Sequence, residues 1–331
     1  MKKIYSILLA ILLASTAQAQ QAPATSAVKA FGHLDLSLTL GSTGIGFDIE
    51  APLSNLFSVR TGFDFMPRFE HAMHFDIQSF DDKGNLLESK FERMSSLMTQ
   101  LTGYRVDGDI EMTGKPTMWN FKLMVDVHPF RNKHWYITGG FFWGPKQIAE
   151  AYNITEDAPS LFAMGMYNHI YDVSYQDYVL MNPTPIYDDE YLDPLIEQRV
   201  VKNGRMGVRV GNYAHDVVDQ FGNVIHRAGE PYRMVPDANS MVRANAYVNN
   251  FKPYIGFGYK GRLLKGDDRY HIGFDCGVMF WGGEPDIITH DGTNLSKDIE
   301  NMNGNVGRYT DILTAFKAYP VINLRISRRI F

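Results

Sequence analysis

The chain of 331 residues carries one cysteine, Cys276. A single thiol cannot build a disulfide framework, so the fold is stabilised by other means. Cys276 falls on an apolar strand face and reads as a small hydrophobe rather than a reactive thiol. Beyond the first 21 residues no stretch approaches 18 consecutive apolar residues, which excludes a helical membrane span. Basic charge is also short. Without Lys2 and Lys3, 30 basic side chains stand against 37 acidic ones, a formal charge of −7, and no basic footprint for nucleic acid remains.

Catalytic motifs are missing as well. There is no H-E-x-x-H, no G-x-S-x-G and no local Ser–His or carboxylate dyad, so the expectation is a protein that is not an enzyme and takes no cofactor. His71 and His74 have metal-like spacing beside Glu70 and Asp76, but on a strand they would point to opposite faces. A solvated loop with no third ligand is expected there, and no metal. Gly256 to Gly261 matches G-x-G-x-x-G, yet these glycines lie inside an alternating segment instead of opening a helix, which argues against a dinucleotide site.

What is present begins with an export signal. Lys2 and Lys3 precede the apolar run Ile4 to Ala14, and Ala17-Gln18-Ala19 is an A-x-A cleavage site. Residues 1–19 are expected to be removed and Gln20 to start the mature chain. No Cys follows the site, which argues against a lipid anchor.

The dominant pattern in the remainder has period 2, the mark of strands with two different faces. Phe57, Val59, Thr61, Phe63 and Phe65 alternate with Ser58, Arg60, Gly62, Asp64 and Met66. Trp119, Phe121, Leu123, Val125 and Val127 alternate with Asn120, Lys122, Met124, Asp126 and His128. The same reading gives strands near 31–41, 43–51, 56–66, 117–129, 134–144, 250–261, 269–281 and 319–331. Eight is an even number, as single-chain transmembrane barrels require. Long connections at Pro67–Thr117, Pro145–Asn250 and Gly282–Ala318 fall on one side, and short turns fall on the other with the termini. All four Trp (119, 135, 143 and 281) lie at strand ends, where aromatic girdles belong. The fold class expected is all-β: one eight-stranded antiparallel transmembrane β-barrel over 20–331, with long, partly helical extracellular loops.

The final segment AYPVINLRISRRIF, ending in Phe331, resembles the last strand of outer-membrane barrels. So do WYITGGFFWG, FKPYIGFGYKG and HIGFDCGVMFWGG. The chain is similar to the small outer-membrane protein A-like barrels, with its closest likeness among the uncharacterised surface barrels of Bacteroides-type bacteria. That resemblance implies residence in the bacterial outer membrane, contact with its lipid, and insertion by machinery that reads the C-terminal strand. One departure is that Arg329, Ser327, Arg325 and Asn323 occupy the alternate positions counted back from Phe331, where apolar residues are usual.

The long connections carry structure of their own. Ser89 with Glu92 forms a capping box before a helical stripe from Phe91 to Leu101, which Gly103 can end. A second helix is expected from Pro159 through Phe162, Met166 and Ile170. A third runs from Ile299 to Phe316 across the barrel mouth, weakened by Gly304 and Gly307. Met206, Val208 and Val210 predict a strand beyond the membrane.

Two groups of residues are candidates for function. An acidic, Tyr-rich run holds Tyr171, Tyr175, Tyr178, Tyr187 and Tyr191, which suits contact with an extracellular protein or glycan, or packing on neighbouring loops. The inner strand faces carry the acids Asp35, Asp48, Glu50, Asp64, Asp126 and Asp275. They also carry the bases Arg60, Lys122, Lys252, Lys260, Arg325 and Arg329. So narrow a lumen forces such charges to pair. One register sets Arg60 against Asp126 and Asp64 against Lys122, and another sets Asp275 against Arg325 and His271 against Arg329. The function expected is a surface anchor whose loops mediate binding or envelope structure, the alternative being a narrow or gated channel for small solutes.

Overall fold

The structure is a computed structural model, and it describes residues 30–80, 91–103, 107–154, 157–180, 185–187, 190–191, 193–237, 239–264, 267–302 and 304–330. The expected signal segment 1–19, the capping residue Ser89 and the terminal Phe331 lie outside the described residues.

Eight antiparallel strands close into a barrel in chain order. They are β1 (Asp35–Gly41), β2 (Gly44–Pro52), β3 (Phe57–Phe65), β4 (Trp119–Val127), β5 (Trp135–Trp143), β6 (Phe251–Leu264), β7 (Asp267–Met279) and β8 (Tyr319–Arg329). β8 pairs with β1, with Asp35 opposite Arg329 and Gly41 opposite Asn323, so no free edge remains. Alternation decides which face points where. On β1 the polar residues Asp35, Ser37 and Thr39 are buried, while Leu36, Leu38 and Leu40 are exposed, Leu38 to 68%. On β8, Ile322, Leu324 and Ile326 are exposed and Arg325 is fully buried. This inversion, polar inside and apolar outside, is that of a barrel solvated by lipid. A water-soluble protein does not expose an apolar belt of this extent.

Aromatic residues mark both ends of the belt. Trp143 packs on Phe251 at 6.3 Å near the upper rim, and Trp135 packs on Tyr259 at 5.1 Å near the lower rim. Trp119 is exposed beside them, paired with Phe65. Trp281 differs from expectation. It lies just beyond the end of β7, is 5% exposed, and donates its indole N–H to the Phe316 carbonyl at 2.9 Å. Its place on the inner-face parity of β7 puts it under the cap and not in the girdle.

The pairing register is offset by two residues from the expected one. Arg60 lies opposite Met124, Phe63 opposite Phe121 and Thr61 opposite Leu123. Between β7 and β8, Asp275 lies opposite Asn323, Gly273 opposite Arg325 and His271 opposite Ser327. A shift of two preserves which face is inward, so charge pattern alone does not fix it. Strand stagger on closure does, and long charged side chains then reach diagonally. Gly258 and Gly256 sit where the Tyr136 ring and the Tyr254 hydroxyl press on the inner wall, and a Cβ at either would collide with them. That is the use of the G-x-G-x-x-G segment here.

Above the belt the wall continues. A five-stranded sheet has the order Asp286–Thr289, Arg243–Tyr247, Gln147–Asn153, Asp109–Pro116, His71–Asp76. Each of these strands follows or precedes, within a few residues, a barrel strand: β7, β6, β5, β4 and β3 respectively. The order is therefore the barrel's own. Hydrogen bonds bridge the breaks: Met66 N to Met118 O at 2.9 Å, Thr117 N to Ile148 O at 2.9 Å, Val248 N to Lys146 O at 2.8 Å, and Asn249 N to Trp281 O at 2.9 Å. His71 and His74 consequently lie on a strand and not in a loop, with His74 Nδ1 2.8 Å from Asp109. No extension rises over β1 and β2, which join through the tight turn at Ser42 and Thr43, with Gly44 in the left-handed region at φ 99°.

Helices fill the inside of this half-cylinder. Phe91–Thr102 ends at Gly103, with φ 76°. Ala158–Leu180 buries Leu161, Met164, Tyr167 and Tyr171 along one face. Its Asn168 side chain bonds both the N–H and the carbonyl of Met206. The strand predicted around Met206 is Arg205–Tyr213, but it belongs to a separate small sheet with Pro231–Met234 and Ile299–Glu300. The expected helix Ile299–Phe316 is split. Ile299 is in a strand, Asn301 and Gly304 have φ of 53° and 63°, and the helix itself spans Gly304–Thr314. It descends beside the strand His71–Asp76. Asn305 donates to the His74 carbonyl at 2.7 Å, and the Tyr309 ring lies 6.2 Å from those of His71 and Phe75. Val306, Tyr309 and Leu313 pack on the buried cluster of the cap. Leu313→Asp places a charge in that contact. It should raise protease cutting within the cap on intact cells while the barrel still migrates as a folded, heat-modifiable band; unchanged cutting would mean that the helix does not brace the cap.

Candidate functional site

The inward faces of the barrel strands bring six acidic and six basic side chains into one lumen. Position 60 on β3 and position 275 on β7 are half a barrel circumference apart. Arg60 spans that diameter and grips Asp275 in bidentate fashion, Nη1 to Oδ2 at 2.8 Å and Nη2 to Oδ1 at 3.0 Å. The fork geometry of guanidinium against carboxylate is the strong form of such a bond. Arg60 also bonds Asp126 at 3.3 Å on the adjacent β4 and lies 3.8 Å from Asp48.

The other bases extend the lattice. Lys122 contacts Asp64 at 2.6 Å and Asp48 at 2.7 Å. Lys260 contacts Asp35 at 2.6 Å and Glu50 at 2.9 Å, again across the lumen. Arg325 meets Glu50 at 3.2 Å and approaches Asp275 at 4.0 Å. Arg329 reaches Asp35 at 3.4 Å. Tyr136 ties the layers together, donating its hydroxyl to Asp275 at 2.9 Å and accepting from Arg325 at 2.8 Å. Thr138 donates to Asp126 at 2.6 Å. Lys252 is the exception. It is fully buried near the upper end and, among the described residues, bonds Asn120 at 3.1 Å and the Pro145 carbonyl at 3.4 Å but no carboxylate.

Of the three pairs read from the sequence, Arg60–Asp126 and Asp64–Lys122 are in bonding contact and Asp275–Arg325 is looser. The tightest contact, Arg60–Asp275, was not among them, because it joins strands far apart in sequence that meet only once the barrel closes. Tyr136 was missed too. Its inward direction follows from the parity of Trp135 and Trp143, but its role needs the third dimension. His271 and Arg329 were set opposite one another, yet His271 lies opposite Ser327, and on the other seam Arg329 faces Asp35.

The tyrosine run divides. Tyr171, Tyr175 and Tyr178 are on the helix Ala158–Leu180, while Tyr187 and Tyr191 belong to the hairpin Pro185–Tyr187 with Glu190–Tyr191. Tyr171 is 3% exposed and stacks on Tyr175 at 5.8 Å, so it belongs to the cap core and not to an exposed contact loop. The side chains of Tyr178, Tyr187 and Tyr191 lie outside the described residues.

Tyr171 and Tyr175 do border a cavity of about 690 Å³, together with Arg205, Tyr213, Tyr232 and Asp291. Arg205 pairs with Asp172 and lies over the Tyr171 ring. Burial, with Asp291 and Glu230 nearby, pushes the Tyr213 hydroxyl up to about 12. Burial and Asp291 likewise raise Tyr232. Burial works against ionisation of Asp291. Hydrogen bonds from Thr289, the Thr293 N–H and Tyr232 outweigh it and hold Asp291 below the usual carboxylate range. The cavity thus presents neutral tyrosine hydroxyls beside a fixed carboxylate. Among the described residues no three His, Cys, Asp or Glu side chains are grouped to hold a metal ion.

Fold and lumen define a class: an eight-stranded antiparallel transmembrane barrel. No family model matches the chain, nor does any curated protein. Among solved structures it is similar to CarO2 of Acinetobacter baumannii, at 14% identity and TM-score 0.37 over 91% of this chain and 100% of that one. It is also similar to CarO of the same organism, at 12% identity and TM-score 0.35 over 89% and 97%. Likeness this distant carries no argument beyond the geometry already described. It lends no support to the expected closeness to Bacteroides-type barrels.

Replacing Arg60 by Ala would leave Asp126 without its bonded cation and Asp275 with Arg325 alone, at 4.0 Å. The expected cost in lipid-phase unfolding is about 3–5 kcal/mol, as for other broken buried pairs. Lys317 pairs with Glu284 at 3.0 Å on the exposed cap surface, and Lys317→Ala should cost no more than about 1 kcal/mol. Equal costs for the two would mean that the lumen is wet.

Proposed function

We propose that this protein is a bacterial outer-membrane barrel with a sealed lumen, exported by its N-terminal signal, whose task is carried by the folded cap at the cell surface. In this reading it is a non-enzymatic anchor. The partners are outer-membrane lipid around the belt, the insertion machinery at β8, and an extracellular protein or glycan at the cap. The observation that carries the reading is the filled lumen: Arg60 bridges the diameter to Asp275, with Asp48, Asp126, Tyr136 and Arg325 buried around it. An eight-stranded barrel is just wide enough for side chains to fill, and here both signs do so in contact. A conducting pore calls for open volume or a lining of one sign.

The cap supports the second half of the reading. Five barrel strands continue into it, so it is held on a rigid base rather than on free loops. Its cavity bordered by Tyr175, Arg205 and Tyr232 has the aromatic and charged composition of protein and glycan contact surfaces. Purified protein in planar bilayers should give little or no steady conductance. A large steady conductance from the unmodified chain would overturn the sealed-lumen reading in favour of a narrow channel for small solutes.

A further inference from the structure

A second cavity, of about 570 Å³ as bounded by the described residues, lies between the concave face of the five-stranded cap sheet and the helix Gly304–Thr314. Its size is within the range of about 300–1,000 Å³ usual for ligand pockets. Its origin is legible in the sheet register. Gly114, Ala151 and Ala244 are cross-strand neighbours on the floor, and so are Pro116, Ala149 and Ala246 in the next row. Where a sheet ordinarily carries branched side chains to meet a helix, this one leaves a trough. Met73 and Met112 wall one side, and Val306, Tyr309 and Leu313 form the roof.

The lining is almost wholly apolar. Apolar cavities far smaller than this, about 150 Å³, stay dry and take up apolar ligands, because water inside finds no partners. Left empty, the walls would forfeit their packing contacts.

The opening is on a particular side. The strand His71–Asp76 is the edge of the cap sheet and stands over β3. The barrel strands on the far side of β3, which are β2, β1 and β8, carry no strand of that sheet above them, and there the helix Gly304–Thr314 takes the place of a sheet wall. The exposed residues on the cavity lining are Phe69 at 59% and Ile312 at 53%, with His71. Below them Phe65 belongs to the lipid belt and is itself 52% exposed. Met66 and Pro67 lead from Phe65 to Phe69, with Arg68 and Glu70 exposed beside them, so only a few residues separate the belt from the mouth of the cavity. A solvent-facing pocket would be rimmed by polar side chains. This mouth mixes Phe69 and Ile312 with Arg68, Glu70 and His71 at the edge of the belt, the composition of a side entrance at the level where acyl chains meet polar headgroups.

We propose that this cavity takes a single hydrocarbon chain from the adjacent leaflet, with its polar end left outside near His71. The chain could arrive as a free fatty acid or attached to a lipid, since both present the same hydrocarbon. The inference rests on the reading of the cap as a binding module and names what one part of it binds. Its test does not depend on which way the barrel faces in the cell.

The full-length mature protein is placed in nanodiscs doped with a fatty acid, or with a phospholipid, carrying a diazirine on the acyl chain. After illumination the labelled residues are mapped. Labels are expected on the lipid belt and also inside the cap, at Met73, Met112 or Leu313. Unlabelled chain in excess should compete for the cap sites, and the probe that labels them identifies the source. Ala151→Phe fills the trough and should reduce cap labelling severalfold with belt labelling unchanged. Ile312→Lys at the exposed mouth should do the same without touching the interior, and it serves should Ala151→Phe fail to give a folded, heat-modifiable band. Labels confined to the belt with both probes, or cap labels unaffected by Ile312→Lys, would overturn the proposal. Bilayer conductance, read separately, tests the sealed lumen and is indifferent to this result.

Discussion

The Arg60 guanidinium held by Asp275 across the full width of the lumen is the contact on which the barrel depends. Eight strands enclose a space just wide enough for side chains to fill, so the charged groups on the inner faces draw their partners from one another, with Lys252 the exception. Arg60 answers for Asp275 and Asp126 at once, Lys122 for Asp64 and Asp48, and Lys260 for Asp35 and Glu50. Because Arg60–Asp275 and Lys260–Glu50 join strands on opposite sides, they also select the closed register. A buried pair of this kind adds little net stability over an apolar filling, but breaking one half of it is costly. The lattice therefore specifies a shape more than it supplies energy.

That rigid cylinder is the base for the cap. The outward continuation of β3 to β7 as a single sheet carries the wall beyond the membrane without a flexible joint, while the tight turn between β1 and β2 leaves the opposite side low. The helix Gly304–Thr314 stands in the resulting gap and leads through Phe316 into β8. Tyr319 closes the seam, its hydroxyl bonded to the Ser42 carbonyl at 2.6 Å. The asymmetry of connection lengths thus becomes an asymmetry of shape: a sheet wall on one side and a single helix on the other.

How much of this is legible in the sequence follows from the range of each signal. Period 2 is local, so the eight strands and their two faces can be read residue by residue, and Arg60, Asp64, Lys122, Asp126, Asp275 and Arg325 do face one lumen. Register is less local. Shifts of two leave every face unchanged, and the offset between Arg60 and its neighbours on β4 shows that charge complementarity along one seam is not enough. Diametric contacts such as Arg60–Asp275 depend on closure and leave no trace in spacing. The cap sheet was hidden for another reason. Gly114, Ala149, Ala151, Ala244 and Ala246 give its strands little apolar contrast, so alternation is faint there. The helical period from Ile299 to Phe316 was real in part, but Asn301 and Gly304 in left-handed conformations divide it. At Trp281 strand parity outranks residue type: the ring follows the inner face of β7 and lies under the cap.

If the cross-lumen brace governs the closed barrel, Arg60 and Asp275 must be energetically coupled. A double-mutant cycle with Arg60→Met and Asp275→Asn, read by reversible unfolding in lipid, measures that coupling directly. The account predicts a coupling of roughly 2–3 kcal/mol, the upper part of the range seen for groups in one ion-pair network. Additivity of the two changes within about 0.5 kcal/mol would mean that the two groups do not sense each other, and would contradict it.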